Sequence, residues 1–196
     1  TTPKISTRWN TEKMSLSIGG GMVFRTLSND DALRPEFNIE QDFEAVELSS
    51  YFNYRFSPKM STYMGYNLNN APPEVTQLNP FVDVSDPLNT VQGNPDLAPT
   101  NTHSLYLGFN NYDFQKGGGF YTNINGNIRD DAVTGITIVD ENLVRNTTYV
   151  NVDGNYSWNA SAGYNKSVKV DSLRTFKYGI GGYGNYLFWK CGFETG

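Results

Sequence analysis

Residues 150–165 read VNVDGNYSWNASAGYN, and apolar and polar side chains alternate along them almost without error. The even-numbered positions hold Val150, Val152, Gly154, Tyr156, Trp158, Ala160, Ala162 and Tyr164. The odd-numbered positions hold Asn151, Asp153, Asn155, Ser157, Asn159, Ser161 and Asn165. Successive side chains of a β-strand point to opposite faces of its sheet, so this period of two predicts a long strand with one apolar and one polar face.

The same alternation recurs in one segment after another and predicts an all-β fold. Residues 13–25 and 46–56 repeat it, although Val23 is an apolar exception on a polar parity. The expected architecture is an antiparallel up-and-down meander of about eight long strands. They lie at about residues 3–9, 13–27, 42–56, 59–69, 103–114, 119–139, 143–165 and 173–190. Several exceed the roughly 9–11 residues that cross a bilayer, which favours a segment of a transmembrane β-barrel.

The lengths of the joins between strands support a barrel independently. The joins near residues 10–12, 57–58, 115–118 and 166–172 are short, whereas long outer loops are expected at about 28–41 and 70–102. Every short join falls at one end of the meander, and outer-membrane barrels have short turns on one side and long loops on the other. The tight join at Asp140-Glu141-Asn142 is an exception, and we interpret it as the tip of a projecting hairpin.

Composition agrees with a membrane barrel. Lys, Arg, Asp and Glu make only 18% of the chain, while Tyr and Phe number 13 and 12. A barrel needs few charges on its lipid side and many aromatic residues at the two membrane interfaces. The net charge of −5 argues against a nucleic-acid partner. With one cysteine, Cys191, and one histidine, His103, the chain has no ligand set for zinc and implies no cofactor.

One stretch of the loop at residues 70–102 is the most specific text in the sequence. It reads Gln77-Leu78-Asn79-Pro80-Phe81-Val82, then Ser85-Asp86-Pro87, then Gly93-Asn94-Pro95-Asp96-Leu97-Ala98-Pro99. The prolines cannot donate to a strand ladder, and they restrict the residues before them, so the stretch predicts a rigid loop that leads back into the wall.

This string resembles the mid-barrel signature of TonB-dependent receptors, in particular the Bacteroidetes-type outer-membrane β-barrel family, whose "QLNPF…SDP…GNPDLKP" motif precedes a strand. The residues that match the motif are Asn79, Pro80, Phe81, Gly93, Asn94, Pro95, Leu97 and Pro99. The chain departs from the family pattern at Thr100, where an acidic residue is usual, and in lacking an arginine-proline pair before the string.

The resemblance implies a barrel of about 22 strands with a plug, which imports a nutrient across the outer membrane. Its implied partners are the lipid bilayer, the remainder of the barrel and plug, and an energy-transducing inner-membrane complex. We therefore expect residues 1–196 to be a single β-barrel segment without a plug domain, located in the cell outer membrane and not competent for transport alone. Even-numbered side chains are expected to face lipid and odd-numbered ones a polar lumen.

Some single features have two interpretations. Tyr51, Tyr63, Tyr106, Tyr121 and Tyr183 lie on the polar parity and are candidate lumen or ligand contacts, although contact with a plug is the simpler reading. The acids Asp130, Asp131, Asp140 and Glu141 would suit calcium at an outer rim, or would merely solvate a loop.

His103, Ser104 and Asp96 lack the surroundings of a hydrolytic triad, so no enzyme is predicted. The alternative function is a soluble or surface-attached β-sandwich that binds glycan.

Overall fold

A computed structural model describes residues 2–30, 32–33, 35, 38–83, 86–113 and 115–189 of the chain. The described residues form twelve strands and one short helix. These are β1 (Lys4–Asn10), β2 (Met14–Asn29), β3 (Ile39–Ser57), β4 (Met60–Ala71), α1 (Val75–Leu78), β5 (Val82–Asp83), β6 (Asn89–Gln92), β7 (Thr100–Asp113), β8 (Gly118–Asp130), β9 (Ala132–Val139), β10 (Arg145–Val152), β11 (Asn155–Lys169) and β12 (Thr175–Phe188). No described helix has the length and apolar character to cross a membrane.

The long strands form one eight-stranded antiparallel sheet in the order β1-β2-β3-β4-β7-β8-β11-β12. Short joins connect β1 to β2, β3 to β4, β7 to β8 and β11 to β12. All four lie at the same end of the strands, which we call the turn end. The longer connections lie at the opposite end of the strands, which we call the loop end. The predicted meander of about eight long strands is confirmed.

Two neighbouring rows of side chains show how the pattern of one strand continues across the sheet. One row runs through Trp9, Leu16, Phe52, Met64, Leu107, Ile124, Ala160 and Gly184. The next row, one residue along each strand and therefore on the other face, runs through Arg8, Ser17, Tyr51, Gly65, Tyr106, Asn125, Asn159 and Asn185. The first face is apolar from edge to edge and the second is polar.

The expectation that even-numbered residues share the apolar face is wrong for β1 and β7. Met64 pairs with Leu107, and Thr7 pairs with Ile18, so odd numbers carry the apolar face in these two strands. The reason is the register, because parity is kept between neighbours only where the paired residue numbers add to an even value. The separation into two faces itself is unaffected.

The structure also divides two predicted strands. Residues 119–139 form β8 and β9, and residues 143–165 form β10 and β11. The breaks lie at Asp131 and at Gly154, whose φ angles are 55° and 87°, in the left-handed region that interrupts a strand. Both breaks occur at the same level, so the paired strands β8 and β11 stop there together. Beyond this level the chain forms the β9–β10 hairpin, outside the eight-stranded sheet.

This hairpin belongs to a second sheet of four short strands in the order β5-β6-β10-β9, in which β6 and β10 run parallel. The connection between β4 and β7 thus contains α1, β5 and β6 rather than loop alone. At the hairpin tip, Asp140 Oδ1 accepts hydrogen bonds from the backbone N–H groups of Asn142 and Val144, at 2.8 and 2.9 Å.

The main buried cluster of the described residues lies at the loop end, on the otherwise polar face. Phe43, Leu78 and Leu97 form it, with Leu27, Ile39, Val133 and Tyr149 packed around them. Val23, the exception in the alternation of β2, is 2% exposed on the same face, where Pro72 and Pro99 share a small hollow with it. The loops therefore cover these apolar side chains of the polar face.

Candidate functional site

The two halves of the proline-rich string lie side by side at the loop end. The backbone N–H of Gly93 donates to the carbonyl of Asn79 at 2.8 Å, and that of Asn94 donates to the carbonyl of Gln77 at 2.7 Å. A Cβ atom on Gly93 would lie 2.6 Å from the backbone nitrogen of Asn79, so only glycine permits this approach. Gln92 Nε2 donates to the Pro80 carbonyl at 2.8 Å and extends the pairing.

Asparagine side chains attach this string to the β9–β10 hairpin. Asn94 Nδ2 donates to the carbonyl of Tyr149 at 3.0 Å. Asn151 accepts from the N–H of Ala98 at 2.8 Å, and its Nδ2 donates to the Ala98 carbonyl at 2.9 Å. Leu97 is 2% exposed in the cluster with Phe43, whereas Phe81 remains 42% exposed. The string therefore joins the loops to the wall.

The five candidate tyrosines lie on the polar face of the eight-stranded sheet. Tyr63 pairs with Gly108 and Tyr106 pairs with Gly65, and each ring covers the glycine opposite it. The two ring centroids are 6.4 Å apart, and the Tyr63 hydroxyl donates to Asn123 Oδ1 at 2.8 Å. These contacts hold Tyr63 and Tyr106 in place.

The remaining tyrosines are more open. Tyr121 lies over Gly163 on the neighbouring strand and is 42% exposed. Tyr51 pairs with Gly65 at 39% exposure, and Tyr183 on the edge strand β12 is 84% exposed. The five rings are thus distributed over the width of the face and do not form one cluster.

Sequence reasoning missed a row of three carboxamides on this face. Asn125, Asn159 and Asn185 are direct cross-strand partners on β8, β11 and β12, and Tyr106 pairs with Asn125 at the end of the row. All three side chains are exposed, and none makes a hydrogen bond to another described residue. The alternation placed each amide on the polar face, but only the register aligns the three.

The row lies within a wider region that we call the uncharged band. Its members carry hydroxyl, amide or phenol groups, or are glycine, with a single leucine at the margin. They are Ser61, Tyr63, Gly65, Asn67, Ser104, Tyr106, Gly108, Asn110, Tyr121, Asn123, Asn125, Asn127, Ser157, Asn159, Ser161, Gly163, Gly181, Tyr183, Asn185 and Leu187. The band extends over five neighbouring strands and contains no Asp, Glu, Lys, Arg or His side chain.

Charged groups lie at the margins of the polar face instead. Glu47 forms ion pairs with Lys4 at 2.7 Å and with Arg25 at 3.2 Å toward the loop end. Lys59 pairs with Asp113 at 2.9 Å and joins two hairpins at the turn end. The carboxylate of Asp113 accepts hydrogen bonds from the Lys59 side chain and from the backbone N–H groups of Lys116 and Gln115. These hydrogen bonds hold the pKa of Asp113 below its ordinary value.

The structure does not assemble the other sites considered from the sequence. His103 Nδ1 lies 2.8 Å from the Tyr66 hydroxyl and its Nε2 lies 3.2 Å from Asp130, on the apolar face, whereas Ser104 points to the polar face and donates to Asn127 at 2.8 Å. Asp130 and Asp131 lie at the base of the β9–β10 hairpin, and Asp140 and Glu141 at its tip. Within the described part of the chain no three acidic, histidine or cysteine residues group as metal ligands, and Cys191 lies outside that part.

The long antiparallel strands form a meander that is apolar on one face and polar on the other. Short turns lie at one end of this meander and folded loops at the opposite end. These features together define the wall of an outer-membrane β-barrel. A family model describes this class, the outer membrane protein beta-barrel family, and it matches residues 38–186. The chain belongs to this family, and its location is the cell outer membrane. Comparison with curated protein sequences gave no match.

Solved receptor structures have the same fold. The chain is similar to the FrpB iron transporter from Neisseria meningitidis, with a TM-score of 0.56 and 13% identity over 95% of this chain and 25% of that one. It is also similar to the Serratia marcescens hemophore receptor HasR, solved with its hemophore HasA and heme, with a TM-score of 0.55 and 14% identity over 91% of this chain and 33% of that one. The chain thus spans a quarter to a third of these receptors. The resemblance to the TonB-dependent receptor barrel is confirmed for the fold.

Proposed function

We propose that the chain forms part of the wall of a TonB-dependent receptor that takes up a nutrient across the outer membrane. The observation that carries this proposal is the pair of neighbouring rows, one apolar and one polar, that each run through all eight strands. A continuous apolar face suits lipid, and a continuous polar face suits a lumen. We propose no catalytic role, and we regard residues 1–196 as one barrel segment without a plug.

The two edge strands indicate where the remainder of the barrel would continue. In the described sheet β1 pairs only with β2, and β12 pairs only with β11. An exposed edge presents unpaired backbone groups, and a barrel removes such edges by closing on itself. We propose that further strands of the receptor pair with β1 and β12, that a plug lies against the polar face, and that an inner-membrane complex supplies energy through parts outside this chain.

The buried cluster weakens the alternative of a soluble β-sandwich. In a sandwich the second sheet would cover the apolar face of the first. Here the four-stranded sheet packs through Val133 and Tyr149 toward Phe43, which lies on the opposite, polar face. The apolar face is left open, with Leu107 40% exposed and Met64 46% exposed.

Lipid contact of two neighbouring residues tests the proposal. Ile124 and Asn125 are adjacent in β8 and point to opposite faces, so Ile124→Cys and Asn125→Cys, each made with Cys191→Ser, form a matched pair. Each variant is labelled with a fluorophore and inserted into vesicles that contain lipids with brominated acyl chains. We expect strong quenching for the label at 124 and weak quenching for the label at 125.

Circular dichroism in buffer and in detergent micelles accompanies this measurement. We expect the β-sheet spectrum only when micelles or vesicles are present, because the apolar face needs a cover. Equal quenching of both labels, or a monomeric cooperatively folded protein in plain buffer, would refute the barrel wall and favour the glycan-binding sandwich.

A further inference from the structure

Building on the proposed membrane wall, we infer that the turn end binds the headgroup of an anionic phospholipid and that Lys116 and Lys166 hold its phosphate. The short turns of outer-membrane barrels face the periplasm, so this lipid belongs to the leaflet on that side. The site extends the lipid contact of the apolar face to one class of headgroup, and therefore rests on the proposed function.

Charge is distributed unevenly along the strands. Residues 8–14, 55–60, 113–118 and 166–177 lie at the turn end, and they contain nine basic and three acidic side chains, a net charge of +6. Because the whole chain has a net charge of −5, the rest of the sequence carries −11. An anionic lipid surface attracts lysine and arginine that lie within a Debye length of it. The turn end is therefore the end of the wall whose charge complements such a surface.

All four hairpins of the turn end repeat one order of side chains. Each has an aromatic ring on the apolar face and a basic residue two to four positions farther toward the turn. The pairs are Trp9 with Lys13, Phe56 with Lys59, Phe120 with Lys116 and Phe176 with Arg174. The four rings are between 43% and 64% exposed. Aromatic girdles of barrels lie at the membrane interface, so the basic residues beyond them lie at the level of the headgroups.

Lys166 is the one lysine or arginine on the apolar face of the eight long strands that the structure describes. Its stem crosses β8 at Gly118, where an added Cβ would lie 2.6 Å from Lys166 Cδ. Its Nζ donates to the carbonyl of Lys116 in the turn at 2.7 Å. The N–H of Ser167 donates to the Gly117 carbonyl at 2.6 Å and fixes this turn against β11. Lys166 thus covers apolar surface with its stem and extends its ammonium to the interface.

The two lysines are available to an external anion. The turn residues Lys59 and Arg174 are already in ion pairs with carboxylates. No described carboxylate forms an ion pair with Lys116, which is exposed, or with Lys166. An ammonium group has three N–H donors, and that of Lys166 uses one on the Lys116 carbonyl. The remaining donors can bind the oxygens of a phosphate.

Spin-labelled lipids test this site on the whole chain. The chain is folded into phosphatidylcholine vesicles that contain a trace of spin-labelled phosphatidylglycerol or of phosphatidylcholine labelled on the same acyl chain. Electron spin resonance separates lipid restricted by the protein from bulk lipid. We expect the anionic label to associate on the order of threefold more strongly than the zwitterionic one. Sodium chloride at about 1 M should reduce this preference, because salt screens exposed charges.

The double variant K116M/K166M assigns the preference to the two lysines. Methionine keeps most of the aliphatic stem and removes the charge, so we expect the two labels to associate almost equally. The control K169M/K177M removes the same charge from the turn end, but its two exposed side chains point to the polar face. It should keep the preference of the parent chain. K116R/K166R should keep it as well, since arginine retains the charge and binds phosphate.

The measurements separate the headgroup site from the proposed function. Equal association of both labels with the parent chain, or a preference that K116M/K166M retains or K169M/K177M loses equally, would leave the membrane wall and overturn the site. No restricted component from either label, with a monomeric fold in plain buffer, would overturn the proposed function itself. Circular dichroism in the vesicles verifies the fold of each variant, and the preference of the parent chain decides the matter where a variant does not fold.

Discussion

The phenol ring of Tyr63 lies over Gly108, its direct cross-strand partner, in the space that a side chain at position 108 would fill. Its hydroxyl continues past that strand and donates to Asn123 on β8 at 2.8 Å. Tyr106 repeats the relationship in the opposite direction, over Gly65 on β4. Each glycine therefore leaves room for a tyrosine ring to lie across the neighbouring strand on the polar face.

Gly108→Ala tests this relationship. The added Cβ would overlap the Tyr63 ring, so the ring must swing away and lose its bond to Asn123. We expect a loss of about 1–3 kcal/mol in the free energy of unfolding, measured with denaturant in detergent micelles. Gly182→Ala is the control, because nothing lies within 4 Å of the position of its Cβ. Equal stability of the two variants would contradict the packing role.

Leu97 tests the attachment of the loops to the wall. Leu97→Ala removes a side chain that is 2% exposed and contacts the cluster around Phe43, so we expect a cost of about 2–5 kcal/mol. Leu88→Ala, in the same connection but 61% exposed, should change the unfolding free energy by less than about 0.5 kcal/mol. A similar cost for both would show that the cluster does not hold the loops.

Gly93 tests the pairing of the two halves of the proline-rich string. A Cβ there would lie 2.6 Å from the Asn79 nitrogen and 2.7 Å from the Gln77 carbonyl oxygen, both of which are backbone atoms. Gly93→Ala should therefore separate the halves and increase hydrogen exchange of residues 75–83 and 86–97, with little effect on β3 or β11. Gly135→Ala meets its nearest atoms at 3.8 Å and should leave exchange unchanged. Protection that persists in Gly93→Ala would refute the pairing.

The ion pair at the turn end predicts a specific response to acid. The Lys59 side chain is the largest cause of the lowered pKa of Asp113. A lowered carboxyl pKa in the folded state stabilises above the ordinary value, about 3.9, and this contribution is lost as pH falls through the folded pKa. The contact between the two hairpins should therefore weaken only below about pH 4.

Lys59→Met isolates that cause. We expect the pKa of Asp113 to rise toward its ordinary value, as measured from the pH dependence of its carboxyl carbon-13 shift. Asp171 serves as the internal reference, because its lowered pKa comes from the N–H of Leu173 and from Arg174 in a different turn. An unchanged pKa of Asp113, or equal changes at both residues, would count against the ion pair.

Local pattern predicted most of the wall but not where two of its strands leave it. The sequence predicts one strand for residues 119–139 and another for residues 143–165, and the alternation of residues 150–165 continues through Gly154. The breaks depend on left-handed backbone at Asp131 and Gly154, and on Asn151, whose amide donates to the Asp131 carbonyl at 2.7 Å. Alternation describes only the sides to which residues point, and the β9–β10 hairpin keeps the period of two after it has joined another sheet.

The sequence by itself determined that the protein is a meander of long strands with an apolar and a polar face, because a period of two follows from strand geometry alone. Its proline-rich string, together with the strand pattern on both sides, also predicted the family, which the family model over residues 38–186 shows. Only the tertiary structure decided which residues meet across strands. Register places Asn125, Asn159 and Asn185 in one row, Tyr63 over Gly108, and Leu97 beside Phe43. These contacts join residues far apart in the chain, and their alignment depends on the lengths of turns and the positions of breaks that each strand's own pattern does not contain.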